Sequence, residues 1–362
     1  MKQKKLAFAW IKVAVLLIIA LLINVVSNFN GWIEVYYSSG FYQKLSVFFR
    51  AITGWLPFSL GDILYIIAVC WIVYKVFLLI KAFFKRTFTR DSFLLGLAKT
   101  FARILWIYIV FNIFWGLNYD RLGIAYQLQL QPVNYNEQDL KNLTAQLIDK
   151  VNAARKNLGD SNFEYDSPQE IFDKTKIAYE NAEKNFSFLH YQNQSIKKSF
   201  FGTLGDYIGF LGYYNPFTGE SQVNTTVPSF VIPYTTCHEV AHQLGYGSES
   251  EANFVGYLAA KSSPDKTFRY SVYFDLFNYA NGKLFSFDSL AARQNYHQLD
   301  TLVKLDIKTY RNFFLSYKNS VEPLIKFFYG EYLKANNQPN GIETYDEVVS
   351  WLIAYQKKYN DL

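Results

Sequence analysis

The chain contains few cysteines, and this scarcity excludes a disulfide framework. Its 362 residues include two cysteines, Cys70 and Cys237. Cys70 lies inside a long apolar run and Cys237 beside the histidine motif described below, so we expect no disulfide between them. Cys237 could act as a nucleophile, but a buried structural thiol is the favoured interpretation.

The sequence also lacks a nucleic-acid-binding motif, an internal repeat and a low-complexity segment. Its net charge is +6, and much of the excess lies in lysines and arginines that flank apolar runs. No basic stripe interleaved with aromatic residues occurs outside those runs, so we predict no nucleic-acid partner.

Apolar residues are abundant in the first third of the chain, where they form three long runs. These are Leu6–Val26, Ile63–Ile80 and Ile104–Leu117. A helix of about 20 residues crosses the ~30 Å hydrocarbon core of a bilayer. The third run reaches that length only with the residues before it, and a buried or interfacial helix is the alternative there. We predict transmembrane helices at about 6–26, 61–81 and 95–117, with the lipid bilayer as a partner.

The first run begins after MKQKK, as a signal peptide does, but it is too long and is followed by SNFNG, which offers no small-x-small cleavage site. We therefore interpret it as an anchor. Basic residues then predict the orientation. They cluster before the first run and between the second and third, at Lys2, Lys4, Lys5, Lys81, Lys85, Arg86 and Arg90. This pattern predicts a cytoplasmic amino terminus in an inner or cytoplasmic membrane and an extracytoplasmic domain after Leu117. Without a third crossing, that domain would be cytoplasmic.

The rest of the chain is predicted to be mostly helical with a small sheet. We expect a membrane domain at 1–117, an extended linker at 118–137 and a globular domain at 138–362. Helical patterns occur at 138–158, 168–185, 249–261, 266–284, 290–300, 305–336 and 343–359, and Gln222–Val227 is predicted to be a strand. The fold class is therefore predominantly α, with three transmembrane helices before an α+β domain.

One motif carries candidate chemistry, the HEVAH sequence at 238–242. On a helix, residues four apart share a face, so His238 and His242 can direct imidazole nitrogens at one metal ion. Glu239 is rotated about 100° from His238, which places it beside the metal, where a general base must stand. This spacing predicts a zinc site with Glu239 as catalytic base.

A third zinc ligand is expected close by. Glu249 and Glu251 both open the next predicted helix, but Ser248 and Glu251 have the spacing of a capping box. We therefore favour Glu249, with Glu251 as the alternative. Asn253 shares the face of Glu249 and could orient a ligating histidine. Only six residues separate His242 from Glu249, so a tight turn at Gly245 must bring Glu249 to the histidines. Otherwise the third ligand lies elsewhere, and His190 and His297 are reserve candidates.

HEVAH followed by ESEAN resembles the zincin metallopeptidases of the gluzincin type. The whole chain also resembles an uncharacterised bacterial family in which transmembrane helices precede a zincin-like domain. The matching segments are Trp115–Tyr119, Thr218–Asn224, His238–Gly245, Glu249–Ala259 and Tyr332–Asn336. Zincins commonly pair an extended peptide with an edge strand upstream of the motif helix. The resemblance assigns that role to Gln222, Val223, Asn224 and Thr225.

These features predict a membrane-anchored zinc metallopeptidase that cleaves a peptide or protein substrate outside the cytoplasm. In this hypothesis Zn²⁺ polarises the scissile carbonyl and activates water. A non-catalytic scaffold or binding protein with a structural zinc site is the alternative. A transport component is a weaker one, since the apolar runs offer no obvious polar pathway.

Overall fold

The computed structural model describes residues 2–85, 89–131, 134–160, 163–341, 343 and 347–362. Arg86, which contributes to the predicted orientation, lies outside these residues. So do residues 344–346 of the predicted helix at 343–359 and residues 132–133 of the predicted linker.

The first third of the chain consists of helices. In chain order these are α1 (Lys2–Ser27), α2 (Asn30–Trp32), a π-helix (Ile33–Phe41), α3 (Tyr42–Thr53), α4 (Leu60–Phe84) and α5 (Arg90–Phe114). Helices α1, α4 and α5 are long and apolar enough to cross a membrane. This confirms the prediction of three such helices before a mostly helical unit with a small sheet, and it is compatible with membrane anchoring. Helix α5 ends three residues before the predicted 117, because the backbone at Trp115 leaves helical geometry.

The segment between α1 and α4 is a folded unit, which we call the connection (residues 28–59). Its π-helix and α3 bury polar side chains, including Glu34, Ser46 and Arg50. Ser59 ends the connection as the N-cap of α4, and its hydroxyl accepts a hydrogen bond from the Asp62 amide at 3.0 Å. These buried polar groups pack against the unit that follows α5.

The predicted extended linker at 118–137 is wrong for most of its length. A 3₁₀ helix at Gly116–Asp120 and helix α6 (Gly123–Gln127) follow α5 directly. Ile124, Leu128 and Leu130 are buried in the main hydrophobic core. Burial of these apolar side chains is what compacts the segment, since an extended chain would leave them in water.

The remaining elements form a helical unit around one sheet. They are α7 (Glu137–Leu158), α8 (Pro168–Glu183), β1 (Ile196–Lys198), α9 (Gly202–Ile208), β2 (Gly212–Asn215), β3 (Glu220–Val223), α10 (Ile232–Gln243), α11 (Glu249–Ser262), α12 (Lys266–Phe287), α13 (Ser289–Gln298), α14 (Thr301–Ser316), α15 (Glu322–Ala335) and α16 (Val348–Tyr359), with a 3₁₀ turn at Ser187–Leu189. Helix α8 begins with a capping box of Ser167 and Glu170. Helix α10 is central and packs on α8, α11, α12 and the sheet.

The predicted single helix at 305–336 is two helices. Helix α14 ends at Ser316, and α15 begins at Glu322. The Asn319 side-chain oxygen accepts hydrogen bonds from the amides of Val321 and Glu322, at 2.9 and 3.0 Å. This local cap and Pro323 in the first turn of α15 start a new helix. Apolar periodicity alone does not distinguish α14 and α15 from one continuous helix.

The sheet corrects the predicted edge strand. Its order is β1–β3–β2, with β3 parallel to β1 and antiparallel to β2. Gln222 and Val223 therefore lie in a central strand, with both edges already paired. Asn224 and Thr225 follow the end of that strand, where the Asn224 amide side chain donates to Asp206 at 2.8 Å. The predicted residues cannot present a free strand edge to a substrate.

Candidate metal centre

Helix α10 is buried along its whole length and ends in a left-handed turn. The amide of Gly245 donates to the carbonyl of His242 at 3.0 Å, and the amide of Tyr246 donates to that of Ala241 at 3.2 Å. These two bonds are the Schellman pattern of a helix end. Gly245 has a φ of +87°, a value that favours glycine. The turn reverses the chain and brings α11 back beside α10.

The reversal places Glu249 against both histidines of the motif. The Nε2 atoms of His238 and His242 are 3.1 Å apart. The Oε2 atom of Glu249 lies 3.2 Å from the first and 3.5 Å from the second. The three side chains are buried, and in the part of the chain that the structure describes they form the one cluster of ligand-type residues close enough to share a metal ion.

These distances fit the coordination shell of zinc. Nitrogen and oxygen ligands bind zinc at 2.0–2.2 Å in a tetrahedral arrangement, which puts neighbouring donor atoms about 3.3–3.5 Å apart. Oε2 of Glu249 has no hydrogen-bond partner within the described residues. A buried carboxylate oxygen without a donor is costly, and a cation between it and the two nitrogens would remove that cost.

Neighbouring groups hold each histidine ring in place. Nδ1 of His242 lies 2.7 Å from the carbonyl oxygen of Tyr246. Because a carbonyl only accepts, Nδ1 carries a proton, and Nε2 is the nitrogen that faces the other two side chains. The Asn253 side chain lies close enough to His238 to interact with its ring. The structure thus brings Asn253 to the ring, as is typical of the groups that orient metal-binding histidines.

Glu239 occupies a tight space between α10 and β2. A Cβ atom on Gly212 would meet its Oε1 at 2.5 Å and its Cγ at 2.7 Å, so the carboxylate fits only because residue 212 has no side chain. Oε2 of Glu239 is buried without a hydrogen-bond partner in the described chain. No local pattern indicates this role of Gly212, since the glycine contacts a residue 27 positions further along the chain.

Burial and mutual charge perturb the acid–base groups. Burial raises the pKa of Glu239 to about 8, although His242 lowers it and Glu249 raises it. Burial also raises the pKa of Glu249, but the two histidines outweigh this effect and hold it well below the usual range. Glu249 is therefore ionised at neutral pH, as a metal ligand must be.

Glu251, the alternative third ligand, lies elsewhere. Its Oε1 accepts a hydrogen bond from the amide of Ile124 at 2.8 Å. The predicted capping box is absent, because the Ser248 side chain makes no cap hydrogen bond to α11. The carboxylate instead packs against Gly123, where a Cβ atom would collide with Oε1. The preference for Glu249 was thus based partly on a contact that does not form.

An ion pair links the connection to the turn after α10. Arg121 and Glu34 are both buried, with Nη2 and Oε1 2.7 Å apart. Arg121 also donates through Nη1 to the carbonyl of Gly245 at 3.1 Å and stacks over the ring of Tyr246, 4.6 Å from its centroid. Glu34 stands out in the sequence as an acidic residue within a mostly apolar segment. Its partner Arg121 lies 87 residues away, so no local pattern predicts the pair.

The last carbonyls of α10 are also bound by side chains from the connection and from the end of α5. The carbonyl of Gln243 accepts hydrogen bonds from Ser46 at 2.7 Å, Tyr42 at 3.1 Å and Arg50 at 3.1 Å. The indole N–H of Trp115, at the end of α5, donates to the carbonyl of His242 at 3.1 Å. Helix ends leave carbonyls without backbone partners, so the connection and α5 complete the helix that carries the motif.

The other candidate residues lie away from the cluster. His190 is half-exposed and lies 2.6 Å from Glu183, and His297 is exposed on α13. Cys237 is fully buried on α10, and burial raises the pKa of its thiol. Such a thiol is inert, which agrees with the structural interpretation.

Tyr329 of α15 reaches the cluster from a distant part of the chain. Its hydroxyl donates to Oε1 of Glu249 at 2.9 Å. Among 29 tyrosines, the sequence offered nothing to single this one out. The contact leaves Oε2 of Glu249 directed at the histidines.

The outer edge of β2 is the strand edge nearest to Glu239. The amide of Asn224 donates to the carbonyl of Leu211 at 2.7 Å, which marks these two residues as a hydrogen-bonded pair. Alternation along an antiparallel ladder then turns the backbone groups of Gly212 and Tyr214 away from β3. No strand covers that edge among the residues that the structure describes.

The fold and site together define a chain with three apolar N-terminal helices, a small sheet and a histidine–glutamate cluster on paired helices. It belongs to the family described as "Protein of unknown function (DUF3810)", whose model matches residues 37–353. The matched range includes most of the connection as well as α10 and α11. No curated protein and no solved structure gives a significant match.

Proposed function

We propose that the protein is a membrane-anchored zinc metallopeptidase that hydrolyses peptide bonds outside the cytoplasm. One observation carries this proposal. His238, His242 and Glu249 converge with the spacing of a zinc shell, and the buried Glu239 carboxylate lies beside them. A purely structural zinc site has no use for that additional carboxylate.

The chain's own residues have separate roles in this proposal. His238, His242 and Glu249 hold the metal, while Tyr246 and Asn253 fix the rings. Bound zinc would supply Lewis acidity to the scissile carbonyl and lower the pKa of the attacking water. Glu239 would accept the proton of that water at a carboxylate oxygen and deliver it to the nitrogen of the leaving amine.

In place of the predicted strand, we assign the binding of the substrate backbone to the outer edge of β2. An extended peptide could pair with the outward backbone groups of Gly212 and Tyr214 by strand addition. Gly212 also contacts Glu239, so a peptide on this edge would lie close to the proposed base.

Hydrolysis is tested with the full chain in lipid nanodiscs and a peptide library. We expect cleavage that stops when a chelator removes the metal and returns when zinc is restored. Mass spectrometry of the products measures it. A chain that retains zinc but cleaves no peptide in the library would contradict the enzyme proposal and favour the scaffold alternative.

Contacts between the connection and α10 support the proposed compartment. Tyr42, Ser46 and Arg50 bond the end of α10, so the connection and the unit after α5 lie on one side. Helices α4 and α5 must then either both cross the membrane or both remain outside it. Their length and composition favour crossing, and the basic residues before α1 and around the α4–α5 junction favour a cytoplasmic location for those parts.

Reporter fusions to the carboxyl terminus of the full chain test this orientation. We expect an alkaline phosphatase fused after Leu362 to be active, because that enzyme works only outside the cytoplasm, and a green fluorescent protein there to remain dark. An inactive phosphatase together with a fluorescent partner fusion would reverse the proposed orientation.

A further inference from the structure

Helices α9 and α15 expose a joint apolar surface that has no partner within the described chain. Phe200 precedes α9, Leu204 lies on it, and Leu324, Phe327 and Phe328 lie on α15; each is more than half exposed. The three α15 residues follow the spacing of one helix face. The two helices pack side by side, with the Asn319 amide donating to the carbonyl of Tyr207. We call these five residues the apolar surface.

The apolar surface adjoins the end of the apolar helix α4. The amide of Phe200 donates to Oδ2 of Asp62 in the first turn of α4, at 2.8 Å. Helix α15 packs on α9 and so lies near the same end of α4. Both α9 and α15 are therefore at the level where α4 would leave the hydrocarbon core.

The end of α5 lies at the same level. The hydroxyls of Tyr332 and Tyr119 are 3.1 Å apart, and Tyr119 follows α5 by five residues. These contacts place α15 near the ends of α4 and α5, so the apolar surface adjoins the part of the fold that the two apolar helices enter.

Charged side chains of α15 suit the boundary between lipid headgroups and water. Lys326 pairs with Glu322 at 2.6 Å and Lys334 with Glu331 at 2.8 Å. The stem of a lysine can follow apolar surface while its ammonium remains among the headgroups. The Lys334–Glu331 pair confines the apolar residues to the first half of the helix.

We propose that α9 and α15 lie in the bilayer interface, with the apolar surface in the boundary between headgroups and acyl chains. Isolated exposed apolar residues are normal, but a contiguous group of large ones is typical of an interaction site. Continuity with α4 and α5 identifies lipid as the occupant. Helices of this kind lie in the plane of the interface with one apolar face buried.

The lipid-bound helix would also cover the metal centre. Tyr329 lies on α15 between the apolar surface and the site, and its hydroxyl contacts Glu249. If α15 is held in the interface, Tyr329 is held against Glu249, whose carboxylate completes the cluster. The inference rests on membrane anchoring and is independent of hydrolysis.

Depth-dependent fluorescence quenching in nanodiscs tests the inference on the full chain. Cys70→Ala removes the exposed thiol, while Cys237 is buried and does not compete for label. A polarity-sensitive fluorophore is attached at Phe328→Cys. We expect blue-shifted emission and several-fold stronger quenching by doxyl-labelled lipids than at the control, Leu290→Cys. Leu290 is also exposed but lies on α13, which packs on α7 and α12.

A second label at Leu324→Cys keeps the test informative if the first variant does not fold. Emission and quenching equal to those at position 290 for both labels would overturn the inference. Emission that changes with protein concentration rather than with lipid quencher would also overturn it, in favour of a second copy. The same measurement on Glu239→Gln should give an unchanged result, which separates this inference from the failure of the proposed enzyme.

Discussion

Glu239→Gln is expected to lower peptide hydrolysis by about 10²–10⁴-fold, the usual contribution of a general base, while bound zinc is retained. Glutamine has nearly the same shape, so it fits the space beside Gly212 that excludes a larger group. Its amide oxygen is too weakly basic to accept the proton of the attacking water. The proposed ligands on the neighbouring turns of α10 and on α11 stay in place. Turnover and zinc content are measured on the same preparation.

Asp275→Asn is a matched control for this result. Asp275 is buried on α12, and burial raises its pKa to about 8, much as for Glu239. It lies outside the histidine–glutamate cluster. We expect the control to cleave at close to the wild-type rate. If Glu239→Gln also cleaves at that rate, Glu239 is not the base.

Glu249→Gln is expected to weaken zinc binding by more than about 100-fold, since even groups that only orient ligands contribute 10–100-fold. The change keeps an acceptor for the hydroxyl of Tyr329 but removes the negative charge between the two histidines. Competition against a chromophoric chelator measures the affinity on the full chain in detergent or nanodiscs.

Glu251→Gln provides the comparison on the same helix. Glu251 is also buried, but its carboxylate faces Ile124 and Gly123 rather than the histidines. The glutamine oxygen can still accept the Ile124 amide, so we expect zinc affinity to remain within a few-fold of the wild type. A loss of zinc in Glu251→Gln with normal binding in Glu249→Gln would exchange the roles of the two glutamates.

The experiments need the full chain because side chains of the connection complete the site. A fragment beginning at Asn118 would lack Tyr42, Ser46 and Arg50, which bond the carbonyl of Gln243. Buried carbonyls without partners are destabilising. We therefore expect such a fragment to be a poor substitute for the intact protein.

Local patterns were sufficient for the parts of the fold that depend on neighbouring residues. Length and apolar composition predicted α1, α4 and α5. The spacing of His238 and His242 predicted their shared helix face, and Gly245 predicted the turn after it. The distance of six residues to Glu249 left two possibilities open, and the observed Schellman turn brings Glu249 to the histidines.

Features that depend on distant contacts were missed. The position of β3 in the sheet depends on β1 and β2, neither of which has a clear alternating pattern. The pairing of Arg121 with Glu34 and the contact of Tyr329 with Glu249 each join residues about 80 or more positions apart. No local periodicity encodes such pairs, since their energy comes from burial and hydrogen bonding in the folded chain.

X-ray absorption at the zinc edge of the purified full chain tests the metal centre most directly. We expect one zinc per chain, with two imidazole rings and oxygen ligands at about 2.0–2.2 Å, and loss of the imidazole signal in His242→Ala. A sulfur ligand at about 2.3 Å would assign the metal to cysteine. A chain that binds no zinc, even after it is supplied, would contradict the proposed centre altogether.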